Sequence, residues 1–193
     1  MGITNVLTAG ATSPGFHSFT YSFPSTDRFF GSQTLPGPVP EIAVDEDGEW
    51  YGVSNHSLVL HFAAKSEALV DEMQVVTAVG DIAVANRTLY AALSYAGSGG
   101  VASMGIHRIP RANVAPSYSG TAIVPNVTPS TLAAAGTDLY FIEGTKLSRV
   151  DLSAASAPVD LATVGAGATA LTVDAECIYW VEGGTKIMKR ARR

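Results

Sequence analysis

The residues best suited to chemistry in this 193-residue chain are few, and their spacing serves chemistry poorly. Asp45-Glu46-Asp47-Gly48 opens like a calcium loop, D-x-D-G, but an EF-hand-type loop needs a glutamate at its twelfth position. Counted from Asp45, that position is His56, so the stretch reads as a polar turn. The histidines are His17, His56, His61 and His107; none forms an H-x-x-x-H or H-E-x-x-H pair. His56 and His61 are five apart, so they do not share one face of an alternating strand and read as surface or structural residues. The lone Cys177 excludes an internal disulfide framework and a multi-cysteine zinc site. It begins an apolar run beside Ile178, which predicts a buried small hydrophobe rather than a nucleophile. No G-x-S-x-G elbow occurs. The glycine-rich stretch 95–105, YAGSGGVASMG, falls between two predicted strands rather than between a strand and a helix. It is expected to be a hairpin tip, open to a ligand, and not a phosphate loop. Asn55, Asn86 and Asn126 match the N-x-[ST] sequon, which matters only for a chain secreted by a eukaryote. No residue is assigned a catalytic, cofactor-binding or metal-ligating role.

What must position any site is a chain with 47% hydrophobic residues, 19 glycines and 10 prolines. That is ample for one buried core, and the richness in Val, Thr, Ala and Tyr with many turn formers predicts an all-β domain. Charged residues are 15% and the formal net charge is −5, a poor balance for nucleic acid, where phosphate contacts need clustered Lys and Arg. No run of 18 apolar residues exists to span a membrane, and the opening MGITNVLTAG lacks the basic start and apolar centre of a signal peptide.

The sequence repeats. IAVDEDGEWYGV from Ile42, IAVANRTLYAAL from Ile82, LAAAGTDLYFIE from Leu132 and LTVDAECIYWVE from Leu171 each read as apolar strand, polar turn, and a second strand carrying a tyrosine. Tyr51, Tyr90, Tyr140 and Tyr179 fall 39, 50 and 39 residues apart. The downstream halves match as well, residues 142–153 with residues 181–192, pairing Glu143 with Glu182 and Lys146 with Lys186. HSLVLHFAAKS and MGIHRIPRA supply third strands, and PVDLATV and GTAIVPNV supply fourth strands. Units of four short antiparallel strands over about 40 residues cannot bury both faces alone, and packed around an axis they form a β-propeller. The first strand of each unit then lines the channel, which accounts for its small apolar residues.

On this plan Lys186, Lys189, Arg190, Arg192 and Arg193 lie on or after the third strand of the last unit. Arg108, Lys146 and Arg149 recur at equivalent places, so the basic end is expected to be a solvated outer face. Trp50 and Trp180 sit in strands and are expected in the core.

The patterns LYFIEGTKLSRVDL and IYWVEGGTKIMKRA resemble the YWTD repeat of low-density-lipoprotein-receptor-type six-bladed propellers and related bacterial propellers. The resemblance covers most of residues 42–193. It implies a propeller, with an extracytoplasmic setting common among such proteins, and carries little about function. The aspartate that follows YWT in that family is replaced here, Glu143 and Glu182 following Tyr140-Phe141-Ile142 and Tyr179-Trp180-Val181, so the inter-blade bonding of that aspartate is in doubt.

The expectation is a single domain over 1–193 of four-stranded antiparallel blades, about four to five in number, with an irregular unit near 1–40 and repeats over 41–79, 80–128, 129–167 and 168–193. The last stops after its third strand, and residues 3–8 are a possible partner for it that would close the ring. The other possibility is a piece of a larger ring, whose exposed edges invite self-association. A binding or scaffold propeller that recognises a protein, peptide or glycan through its loops is the function favoured. The alternative is a metal-dependent hydrolase or lyase at the channel mouth, disfavoured because the channel-lining strands carry almost no acidic or amide groups.

Overall fold

The computed structural model describes residues 4–9, 16–21, 28–32, 41–45, 47–54, 58–62, 69–75, 78–94, 104–109, 117–118, 121–154 and 156–192. The described regular structure is strand. A first sheet holds β1 (Thr4–Ala9), β2 (Phe16–Tyr21) and β3 (Arg28–Ser32). The second is built from β4 (Glu41–Val44), β5 (Trp50–Ser54), β6 (Leu58–Phe62) and β7 (Leu69–Val75). The third has β8 (Ala78–Ala85), β9 (Thr88–Ser94), β10 (Gly105–Ile109) and, after the two-residue β11 (Ser117–Tyr118), β12 (Ala122–Pro125). The fourth has β13 (Thr131–Ala135), β14 (Asp138–Glu143), β15 (Lys146–Asp151) and β16 (Val159–Thr163), and the fifth β17 (Thr169–Val173), β18 (Cys177–Glu182) and β19 (Lys186–Ala191). Within each sheet consecutive strands pair antiparallel, except that β11 leaves its own repeat and lies parallel to β7.

Tight turns set this order. Asn86 and Arg87 both take positive φ, 48° and 57°, the pair of left-handed residues that suits a two-residue hairpin. Gly105 starts β10 at φ +145°, where a Cβ would run into the Val124 carbonyl of the neighbouring strand, so no side chain is tolerated there.

Period-2 alternation then sorts each sheet into two faces. One carries the repeat tyrosine, and the other carries the apolar residue just before it. The tyrosine face of one sheet packs on the opposite face of the next, three times over. Tyr51, Val53 and Val59 meet Ile82, Leu89 and Ile109. Ala83, Tyr90 and Ile106 meet Leu132, Leu139 and Phe141. Tyr140, Ile142 and Leu147 meet Leu171, Ile178 and Trp180. The first strands β4, β8, β13 and β17 are successive neighbours. The result is an all-β, propeller-like stack of antiparallel sheets, with Trp50 and Trp180 in its core.

Two expectations are corrected here. The segment proposed to complete the last unit pairs elsewhere: β1 runs antiparallel to β2, from Thr4 opposite Tyr21 to Ala9 opposite Phe16. A local hairpin partner costs less loop-closure entropy than one at the far end of the chain. Cys177 is only partly buried, because it is the first residue of β18, beside an exposed turn.

Candidate functional site

The antiparallel order gives the stack two ends. At one lie the turns between first and second strands, and at the other the second-to-third turns and the crossovers between sheets.

The first end is laced shut by turn-to-turn contacts. Asp47 pairs with Arg87 at 2.6 Å, and Asn86 Nδ2 donates to the Gly136 carbonyl at 2.9 Å. Asp45, the head of the calcium-like loop, accepts the Asp47 and Glu49 amides on Oδ1 at 3.0 and 2.9 Å. Asp174 does the same for the Glu176 and Cys177 amides at 2.8 and 2.7 Å, and takes the Tyr179 hydroxyl on Oδ2 at 2.9 Å. These are side-chain turns that stand in for backbone hydrogen bonds. The hydrogen bond to Asp174 pushes the Tyr179 phenol up to about 12, and the backbone amides hold the Asp174 carboxyl below its usual range.

Each repeat tyrosine faces a basic residue of the third strand: Tyr51 opposite His61, Tyr90 opposite Arg108, Tyr140 opposite Arg149 and Tyr179 opposite Lys189. His61 is buried, stacks on Tyr51 with ring centroids 4.5 Å apart, and contacts Glu49 at 3.0 Å. Around Tyr140 the cluster is densest. Its hydroxyl donates to Asp138 Oδ2 at 3.2 Å and accepts from Arg192 Nε at 3.1 Å. Arg192 also donates to the Asp174 carbonyl at 3.0 Å and the Ala135 carbonyl at 3.2 Å, and its guanidinium lies 5.7 Å from the Tyr140 ring centre. Burial raises the Tyr140 phenol, and its hydroxyl raises Arg192 in turn. A tyrosine, an acid and an arginine this close could move protons, but here they clasp the last two sheets together. Arg192 is therefore not part of a solvated face. The chain turns back after β19, with the Arg192 amide bonded to the Glu176 carbonyl, and this aims the side chain at the preceding sheet.

The crossover end carries three described acids, Asp81 on a first strand and Glu143 and Glu182 at the ends of second strands. Asp81 is buried at the inner edge of the third sheet; one carboxylate oxygen accepts the Ile82 amide and the other the Leu132 amide of the next sheet. Thr131, one sheet on, accepts the Leu171 amide at 3.3 Å. Both precede the apolar residue of a first strand, and both tie that strand to the next. Glu143 Oε1 accepts the Thr128 amide at 2.7 Å, and Glu182 Oε1 accepts the Gly165 amide at 2.7 Å and Trp180 Nε1 at 2.9 Å. The Trp180 and Gly165 donors lower the Glu182 carboxyl. A Cβ on Gly165 would stand 3.0 Å from the Glu182 carboxyl carbon, so a larger residue there would make the glutamate give way by a few tenths of an ångström. Each glutamate thus ties the end of a second strand to a crossover segment. The glycine-rich segment belongs to this end, linking β9 to β10, though residues 95–103 lie outside the described residues.

Among the described residues no group of three or more His, Cys, Asp or Glu is placed to hold a metal ion. Among the described residues no helix is long and apolar enough to cross a membrane.

No protein-family model matches the chain, and no curated protein matches it. Solved structures do. Virginiamycin B lyase from Staphylococcus aureus, in a catalytically inactive His-to-Ala form with quinupristin, superposes with a TM-score of 0.54 at 16% identity. A Bacteroides thetaiotaomicron protein of unknown function gives 0.67 at 13% identity, and the computationally designed Ika4 protein gives 0.56 at 8%. The match covers 95% of this chain but 64% of the lyase, 97% but 56% of the Bacteroides protein, and 81% but 92% of Ika4. Identities this low show the fold alone.

Proposed function

We propose that the chain is a non-enzymatic propeller module that recognises a protein, peptide or glycan through the loops of its crossover end. One observation carries this reading: Asp81, Glu143 and Glu182, described acids at the crossover end, each hold backbone amides. An acid bound to amides across a sheet boundary maintains the scaffold and is poorly free to move a proton or ligate a metal. The connection between β9 and β10 is the longest second-to-third connection and supplies the reach that recognition needs. The five sheets then act as four to five blades of one domain.

Two measurements test this. Glycan and peptide arrays should return a ligand whose binding is lost when residues 96–103 are replaced by an Asn-Gly turn, with the melting temperature unchanged. Melting should also be indifferent to Ca²⁺, Mg²⁺, Mn²⁺ and chelator. A metal-dependent rise in melting, together with turnover at the channel mouth, would overturn the reading. The second reading, a metal-dependent lyase, rests on the fold that the chain shares with virginiamycin B lyase and on nothing finer. Consumption of quinupristin, followed by chromatography with and without Mg²⁺, tests it directly. The burial of His61 and His107 in strands weighs against it, because neither offers its ring to a channel substrate.

A further inference from the structure

We propose that Arg108, Tyr90 and Thr88 of the third sheet, with Leu152 of the fourth, form a binding site for an organic carboxylate. It lies at the end of the stack laced by the first-to-second-strand turns, opposite the crossover loops. The repeat itself shows which group the site lacks. In the fourth sheet, Tyr140 faces the cation Arg149, and Asp138 stands two residues before the tyrosine. Asp138 is the anion of that cluster. Its Oδ2 accepts the Tyr140 hydroxyl at 3.2 Å and Arg192 Nη2 at 3.4 Å, and its Oδ1 lies 3.9 Å from Arg149 Nε. The third sheet keeps the tyrosine and the cation and drops the acid: Tyr90 faces Arg108, and Thr88 holds the place of Asp138. Strand alternation puts Thr88 and Tyr90 on one face, and Arg108 lies on that face directly opposite the tyrosine. The phenol registers both neighbours. Burial raises Tyr90, and the Arg108 charge and the Thr88 hydroxyl offset part of the rise.

The second cation of the cluster is replaced as well. Leu152 stands three residues after Arg149, as Arg192 stands three after Lys189, and the two backbones turn alike. The Leu152 amide donates to the Thr137 carbonyl at 2.7 Å, and the Arg192 amide to the Glu176 carbonyl at 2.9 Å. Leu152 packs against the same core cluster as Tyr90. The joint between the third and fourth sheets is made instead by Asn86 and the Gly136 carbonyl, so no charged clasp competes for the place of the acid. What remains there is a guanidinium, two hydroxyls and an apolar wall. Arg108 is exposed, and no described acid pairs with it. Thr88 Oγ1 donates to the Asn86 carbonyl at a long 3.4 Å, a bond that a charged acceptor displaces. An entering carboxylate takes the donors that Asp138 takes one sheet on, and the planar Arg108 fork suits its two oxygens. Leu152 adds apolar contact, which favours a carboxylate carried on hydrocarbon over an inorganic anion.

The probes are sodium acetate and an N-acetylated, C-amidated Leu-Asp-Leu tripeptide, added to the full chain at constant ionic strength. NMR follows the Arg108 side-chain Nε–H signal, assigned by its loss in Arg108→Gln. Both probes should shift that signal saturably, and the matching Leu-Asn-Leu tripeptide should not. Tighter binding of the aspartyl peptide than of acetate, by about tenfold, marks the source as a polypeptide acid, and equal binding marks a small free carboxylate. Thr88→Asp supplies the acid from within the chain. Its Arg108 signal should sit at the bound position without any probe, and both probes should lose about tenfold in affinity. Arg108 is exposed, so Arg108→Gln should melt as the parent does while calorimetry shows the heat of binding lost. The proposal is overturned by an Arg108 signal that no probe shifts saturably, or by an equal shift with chloride or Leu-Asn-Leu. Probe binding that survives Arg108→Gln overturns it too.

Discussion

Arg192 donates to acceptors in two sheets, Tyr140, Ala135 and Asp138 in the fourth and Asp174 in the fifth, so its removal acts on an interface and not on one strand. Arg192→Ala is expected to lower unfolding stability by about 1–3 kcal/mol, since it leaves partly buried acceptors unmet. Arg190→Ala, two residues earlier on exposed β19, should stay within about 0.5 kcal/mol, and urea denaturation at constant m-value compares the two. The Tyr179–Asp174 bond gives a titration to follow. Tyr179 should ionise at about 12 by phenolate absorbance, and Asp174→Asn should bring it back toward the ordinary value. The raised phenol contributes stability that is whole below the unfolded value of about 10 and is lost as pH climbs through the folded one. The lowered Asp174 contributes stability present above the usual carboxylate range and lost as pH falls through its depressed value. A phenolate midpoint unmoved by Asp174→Asn would refute the pairing.

Strands and turns were legible in the chain because they are local: a tyrosine recurring in each unit, alternation on both sides, and Asx or glycine turns between. The bonds that join one sheet to the next were not, because their partners are far apart in sequence. Asp81 reaches Leu132 across 51 positions and Arg192 reaches Tyr140 across 52, and no periodicity marks either end. Glu143 and Glu182 stood out as a repeated pair, yet their acceptor role appears only when the crossovers fold over them. The basic third-strand residues were read as a uniform face, which holds for β19 but not for Arg192 just beyond it. These joints predict a graded series. Asp81→Ala should cost about 1–3 kcal/mol, because two buried amides lose a charged acceptor. Thr131→Val removes a neutral acceptor of one amide and should cost about 1 kcal/mol. The two sites lie on different sheet boundaries, so the double variant should be additive within about 0.5 kcal/mol. A coupling well beyond that would mean that the boundaries communicate through the shared sheet.

At the scale of the whole molecule, repetition turns one position into a gauge of what covers each sheet. Leu147 and Ile187 occupy the same place in the repeat, on the tyrosine face of the third strand. Leu147 is 0% exposed because the fifth sheet packs on it, whereas Ile187 is 79% exposed on the last face of the stack. The same truncation should therefore have unlike consequences. Leu147→Ala removes buried methyl groups and leaves a cavity, at a cost of about 2–5 kcal/mol. Ile187→Ala removes groups already in water and should cost no more than about 0.5 kcal/mol. If another sheet closes on this face in solution, from the first sheet of the same chain or from a second copy, Ile187→Ala would approach the Leu147→Ala loss. Light scattering then tells the two apart: a monomer near 20.0 kDa means that the chain closes on itself, and a larger particle means that copies complete one another. The exposure of Ile187 predicts the small loss.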